Sequence, residues 1–186
     1  MLIKKFPIID IGDYILREHQ DKDVDHFYKY YTDNEVSKYI LAEIPKTLDE
    51  ARRELYYWKN IFYGGSGIYF SIADKRTDEM VGSIGLTTYS SYNNRIEISY
   101  DLSRKYWRRG IAEKSIRSVI AYTFNILKIN RIEAITSVYN EPSIRLLEKV
   151  GFLYEGCLRQ HRYHLGNFVD VYSFSILRNE FSNFNI

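Results

Sequence analysis

Two stretches of this 186-residue chain have residue types and spacing that suit chemistry. The first is Trp107-Arg108-Arg109-Gly110-Ile111-Ala112-Glu113, between an alternating apolar run and a long helical one. Gly110 lets main chain approach a ligand, and small Ala112 keeps the first helical turn open. Free N–H groups and the helix dipole then make an anion site. Arg104, Lys105, Arg108 and Arg109 surround it, so a pyrophosphate suits the place. The second stretch runs from Asn140 through Ser143 to Phe152 and also opens a helix. Taken singly, a basic loop is commonly a solvated turn, and Asn or Ser at a helix start is commonly a cap. Two such junctions about one βα unit apart point instead to one ligand lying across neighbouring strands.

The elements that must position these groups follow from hydrophobic period. Tyr14 to Arg17 reads as a short strand, and Asp21 to Tyr31 as a helix with Val24, Phe27, Tyr28 and Tyr31 at helical spacing. Thr47 with Glu50 forms a capping box for a second helix, through Ala51, Leu55, Trp58 and Phe62 to Gly64-Gly65. Ile68 to Ile72, Met80 to Tyr89 and Arg95 to Leu102 alternate as three strands joined by tight turns, with Gly82 and Gly85 as points of bulging or close approach. A long helix runs from about Gly110 to Leu127, then a β-branched strand from Ile132 to Val138. A helix from Asn140 to Val150 ends at Gly151. Phe152 to His164 and Phe168 to Leu177 are two strands around Gly166-Asn167. The fold class is therefore α/β, an α+β mixed sheet with helices on both faces, and the passage through Gly110 links parallel strands.

Composition narrows the function. At 45% hydrophobic and 27% charged residues the chain is globular, and a net charge of +2 demands neither a nucleic-acid nor a membrane partner. Met1 to Ile15 carries Asp10 and Asp13 and does not read as a signal peptide, and no apolar run approaches the roughly 18 residues of a span. A cytoplasmic setting is expected. The lone cysteine, Cys157, excludes an internal disulfide and reads as a core residue. His19, His26, His161 and His164 have no metal-ligand spacing, so no metal is expected. Neither a P-loop nor a Gly-x-Gly-x-x-Gly motif is present, which argues against an unrelated nucleotide-binding module.

The loop Arg108-Arg109-Gly110-Ile111-Ala112 resembles the pyrophosphate loop of the GNAT superfamily of N-acetyltransferases, Gln/Arg-x-x-Gly-x-Gly/Ala. Asn140 to Phe152 resembles that superfamily's Asn-x-x-Ser/Ala segment ending in Glu-Lys-x-Gly-Phe. Leu16-Arg17 and Asp33-Asn34-Glu35-Val36 resemble its opening. Glu155 to Arg159 with Asp170-Val171-Tyr172 resembles the ending of the ribosomal-protein N-terminal acetyltransferase branch. Trp107 departs from the motif where Gln or Arg is usual, so main-chain groups must carry the phosphates. The likeness implies a GNAT fold of about seven strands, mostly antiparallel, in a single domain over 1–186 with a core of about 14–181.

It also implies acetyl-coenzyme A as co-substrate and an amine as acceptor. The cofactor is expected to be held by Arg104, Arg108, Arg109, Gly110, Ile111, Ala112 and Glu113, with Leu102, Asn140 and Ser143. The Leu102 amide is the expected oxyanion donor, Ser143 the proton donor to the leaving thiolate, and Asn140 orients the pantetheine arm or the acetyl carbonyl. Glu97 is the candidate general base, acting directly or through water, with Asp101 and Glu155 behind it. The branch points to the N-terminal amine of a protein such as a ribosomal protein. A polyamine, an aminoglycoside or an amino acid is the alternative acceptor, and a catalytically silent acetyl-coenzyme A sensor is another reading. Neither a monomer nor a homodimer is legible.

Overall fold

Alternating side chains sort the strands into one sheet. The computed structural model describes residues 5–164 and 166–181, within which eight strands pair in the order β1-β2-β3-β4-β5-β6-β8-β7. They are β1 (Ile9–Asp10), β2 (Tyr14–Arg17), β3 (Ile68–Asp74), β4 (Met80–Ser90), β5 (Arg95–Leu102), β6 (Arg131–Ser137), β7 (Leu153–His164) and β8 (Asn167–Leu177). The helices are α1 (Val24–Tyr31), α2 (Asn34–Ser37), α3 (Leu48–Tyr63), α4 (Ile111–Asn125), α5 (Glu141–Lys149) and α6 (Arg178–Phe181). One strand more appears than the sequence predicts, because β1 is two residues long and shows no period. The turn between β7 and β8 includes Leu165, which lies outside the described residues.

Helix starts are where side chains set them. Thr47 caps α3 by accepting from Glu50 N, and Asp33 caps α2 by accepting from Glu35 N. The helix expected from Asp21 begins as a 3-10 turn, and α1 proper starts at Val24. Asp23 spends its carboxylate on Arg17 and the Gln20 N–H, so it makes no cap for α1.

All strand pairs are antiparallel except β5 with β6, which α4 joins in parallel. Cross-strand partners share a face, and the registers separate two chemistries. Leu16, Ile72 and Gly82 line up with Leu102; Phe70 and Ile84 with Tyr100; Ile96 with Ile132 and Ile176. These residues pack with Ile111, Ile116, Val119, Ile120 and Phe124 of α4 and Leu147 of α5 in the main core. On the other face Arg17, Ser71, Ser83 and Asp101 form one row across four strands, and Tyr69, Gly85 and Ser99 form the next. Helices α1 and α3 meet over that polar face in a second cluster of Val24, Phe27, Tyr30, Tyr31, Ala51 and Leu55 with Met80.

A buried ion pair anchors the polar face. Arg17 holds both oxygens of Asp23 at 2.7 and 2.8 Å, and both side chains are buried. Ser71 donates to Asp23 and contacts His19 Nδ1 at 2.7 Å. His19 is also buried, which pushes its imidazole down to about 4 and keeps it neutral. Gly85 answers a packing need beside this region. A Cβ there would sit 1.9 Å from the Tyr69 ring, so only glycine lets Tyr69 lie flat across β4.

Candidate active site

Strands β5 and β6 part company. They pair only through Arg95↔Arg131, Ile96↔Ile132 and Glu97↔Glu133. Beyond these residues β5 stays on β4 as far as Leu102, and β6 stays on β8 as far as Ser137. A wedge therefore opens between them from Ile98 onward. The Ser103 N–H donates to Val81 O on β4, so by strand alternation the Leu102 N–H and C=O face the wedge. The Leu102 carbonyl accepts from Trp107 Nε1 at 2.7 Å. The residue that departs from the phosphate-loop motif thus ties that loop to the end of β5.

At the mouth of the wedge α4 begins without a side-chain cap. Its N-cap is Gly110 at φ 73, and Arg108 is also left-handed at φ 60. A Cβ on Gly110 would meet nothing within 4 Å, so the space above the first turn is open. An uncapped fifteen-residue helix facing open space presents N–H donors to an anion. The Ile111 side chain is buried in the core, and Ala112 packs against it. Glu113 pairs with Arg117 and with Lys149 of α5, at 3.3 and 2.6 Å, so its carboxylate links the two helices. Arg108 and Arg109 are exposed beside this start, with the Arg109 guanidinium 5.4 Å above the Tyr106 ring. Arg104 stands apart, lining an open groove of about 910 Å³ with Lys29, Tyr30 and Asp33 on the α1 side.

The second junction sits across the wedge. Asn140 caps α5 by accepting from Ser143 N at 3.2 Å. The Ser143 hydroxyl contacts the Tyr100 hydroxyl at 2.8 Å. Burial pushes the Tyr100 phenol up to about 12, with the Ser143 contact acting the other way, so at neutral pH it is an O–H and can donate. Sequence reasoning assigned Tyr100 to strand alternation alone. Its signal was present, as the one hydroxyl in the apolar series Ile96, Ile98, Tyr100, Leu102.

On the polar face Glu97 is half-buried and lies 3.5 Å from Arg162 of β7. Burial raises its carboxyl above the ordinary range, while Arg162 pulls the other way. Glu155 is committed elsewhere: Arg131 grips both its oxygens, Ser175 donates to it, and the Arg131 contact holds its carboxyl low. Cys157, expected in the core, is exposed on β7. No group of three or more metal-ligating side chains occurs among the described residues. No helix among them is long and apolar enough to cross a membrane.

Residues 13–153 match the family model described as an acetyltransferase (GNAT) domain. A relative from Bacillus licheniformis, an uncharacterized N-acetyltransferase called p20, is 36% identical over 90% of this chain and 94% of its own. This chain belongs to the GNAT acetyltransferase family. Its fold matches a solved GNAT-family acetyltransferase from Bacillus anthracis with a TM-score of 0.82 at 26% identity, covering 94% of this chain and all of that one. Two more distant folds name acceptors of their own. A ribosomal-protein-S5-alanine acetyltransferase from Vibrio fischeri aligns at TM-score 0.81 and 19% identity, over 94% of this chain and 98% of that one. A spermidine N-acetyltransferase from Vibrio cholerae, solved with CoA and spermine, aligns at 0.79 and 22%, over 92% and 99%. The GNAT domain here is an N-acetyltransferase by family, and α4 and α5 with the Tyr100–Ser143 contact lie beside the wedge in its one mixed sheet.

Proposed function

We propose that the protein transfers acetyl from acetyl-coenzyme A to a primary amine, with the N-terminal amine of a protein as acceptor. The observation that carries this reading is the parting of β5 from β6 between two helix starts, one uncapped and one bearing a hydroxyl pair. A thioester carbonyl in the wedge meets the Leu102 N–H, a neutral donor fixed before reaction. Losing a donor of that kind typically costs roughly 10²–10³ in rate. The phosphates lie on main-chain N–H groups of Arg109, Gly110, Ala112 and Glu113, with Arg108 and Arg109 alongside.

The amine attacks the carbonyl carbon, the C–N bond forms, and the C–S bond breaks. Glu97 takes the amine's surplus proton, directly or through water. Ser143, backed by the Tyr100 O–H, gives a proton to the departing thiolate. For the acceptor, the β7–β8 hairpin supports a peptide. It places exposed Tyr163 against exposed Phe168, with ring centroids 5.2 Å apart, in the same hairpin as Arg162. A polyamine, aminoglycoside or amino acid is the second reading. Half-buried Glu54 of α3, over the polar face, has a carboxyl that burial raises while Trp58 pulls the other way, and with nearby Glu43 it favours cations.

The test is an acceptor panel with a free-thiol readout of coenzyme A release, comparing peptides with free N-termini, spermidine, an aminoglycoside and free amino acids. Preference for peptides is expected. Preference for spermidine moves the acceptor to the second reading. Tight cofactor binding with no release on any acceptor makes the protein a silent sensor.

A further inference from the structure

Asp101 lies next to Leu102 on the polar face of β5, and its bonding is incomplete in an informative way. Its Oδ1 accepts from the Tyr30 hydroxyl at 2.6 Å and from Ser83 N at 3.1 Å, and its Oδ2 accepts from Ser83 Oγ at 2.7 Å. A carboxylate has about four acceptor positions, so Oδ2 keeps one to spare. Among the described residues no lysine, arginine or histidine lies within 4.0 Å of it, whereas Asp23, Asp78, Glu97, Glu113, Glu133 and Glu155 all have cations. A carboxylate withdrawn from water without a cation is costly to keep. Burial accordingly lifts Asp101 to about 6, against the pull of Tyr30 and Ser83, and at neutral pH it is still charged.

Its surroundings suit a cation that comes from outside. Burial raises the phenols of Tyr30, Tyr31 and Tyr69, the charge of Asp101 raises all three further, and Glu54 adds to Tyr31 and Tyr69. Trp58 packs on Tyr69 with ring centroids 4.3 Å apart, and Tyr69 reaches Ser99 at 3.1 Å. Aromatic faces beside an anion attract ammonium groups. Asp101 is also the chain neighbour of Leu102, whose N–H faces the wedge, and it points to the face opposite Tyr100.

We infer that Asp101, within the ring of Tyr30, Tyr31, Tyr69 and Trp58, holds the ammonium group of the acceptor and selects alkylammonium acceptors over uncharged amines. This rests on the transferase reading above and names the chemistry of its acceptor side. Asp101 binds and places the nitrogen; Glu97 lies four residues back on the same face of β5, roughly 13 Å away at strand rise, so the proton reaches it through water.

Two measurements test it. On the wild-type protein, choline is expected to bind at least about tenfold more tightly than its uncharged tert-butyl isostere, in competition with the amine acceptor and not with acetyl-coenzyme A. Equal binding of the pair overturns the inference. In Asp101→Asn, KM for an alkylamine acceptor is expected to rise about tenfold or more, and the preference for choline over its tert-butyl isostere is expected to disappear. Calorimetric affinity for acetyl-coenzyme A should stay the same. An unchanged KM for the alkylamine, or a choline preference kept by the variant, overturns it. Failure of the wild type to bind acetyl-coenzyme A at all would sink the transferase reading instead, and calorimetry reports that separately.

Discussion

Along β5 the even-numbered residues Ile96, Ile98 and Leu102 join the apolar core beneath α4, while the odd-numbered Glu97, Ser99 and Asp101 meet polar side chains from β7, β3, β4 and α1. The proposed cofactor side is built from main chain, with helix starts, a left-handed glycine and strand amides near one another in sequence. The proposed acceptor side is built from side chains that come from at least four separate segments. Main-chain sites tolerate side-chain change and fail when backbone geometry changes. Side-chain sites fail one functional group at a time, and their structural members can be told from their chemical ones.

The largest expected effect separates those members on the polar face. Asp23→Ala takes the bidentate partner from buried Arg17 and leaves it only half-exposed Asp78, so stability should fall by about 3 kcal/mol in denaturant unfolding. A loss near zero would mean the Arg17–Asp23 end does not anchor that face.

Gly110→Val tests the main-chain side. A β-branched residue at φ 73 is strained, and its side chain fills the open space the phosphates would approach, so affinity for acetyl-coenzyme A should fall roughly tenfold to hundredfold. Calorimetry on folded variant checks this, and wild-type affinity would put the phosphates elsewhere.

Ser143→Ala should lower kcat by about tenfold to hundredfold with little change in KM for the cofactor, because proton donation acts in the transition state. Tyr100→Phe should behave alike, and the double variant should lose less than the product of the two. Strict additivity would show that the 2.8 Å contact carries no joint function.

The smallest effect sharpens the side-chain half. A base works only when deprotonated, so turnover should fall as pH drops through the raised value of Glu97. Glu97→Gln cannot titrate, so kcat should fall roughly tenfold and the acidic limb should flatten. An unchanged limb would assign it to the acceptor's own amine or to Asp101.

Much of the main-chain half was legible in the amino-acid order. Thr47 and Asn140 cap the helices they were expected to open, Gly64 and Gly151 stand at the expected ends, and α4 starts at Gly110. These are local features, decided by residues within four positions of one another. Trp107 was legible as a departure from the motif but not as the donor to Leu102. Tyr100 was legible as an alternating strand residue but not as the partner of Ser143, forty-three positions away. Cys157 was misjudged because β7 lies at the sheet edge, and edge position is not written in a strand's own period.

The sequence by itself determined the order of strands and helices, the parallel link through α4, the family, and the backbone of the proposed phosphate site. Each depends on hydrophobic period and helix-end chemistry, which are short-range. Only the tertiary structure decided that β5 and β6 part after three pairs, that Glu155 is spent on Arg131 while Glu97 stays by Arg162, and that Asp101 sits among tyrosines with no cation paired to it among the described residues. Those outcomes depend on which strands become neighbours and which side chains then share a face, and cross-strand register brings together residues that no local spacing relates.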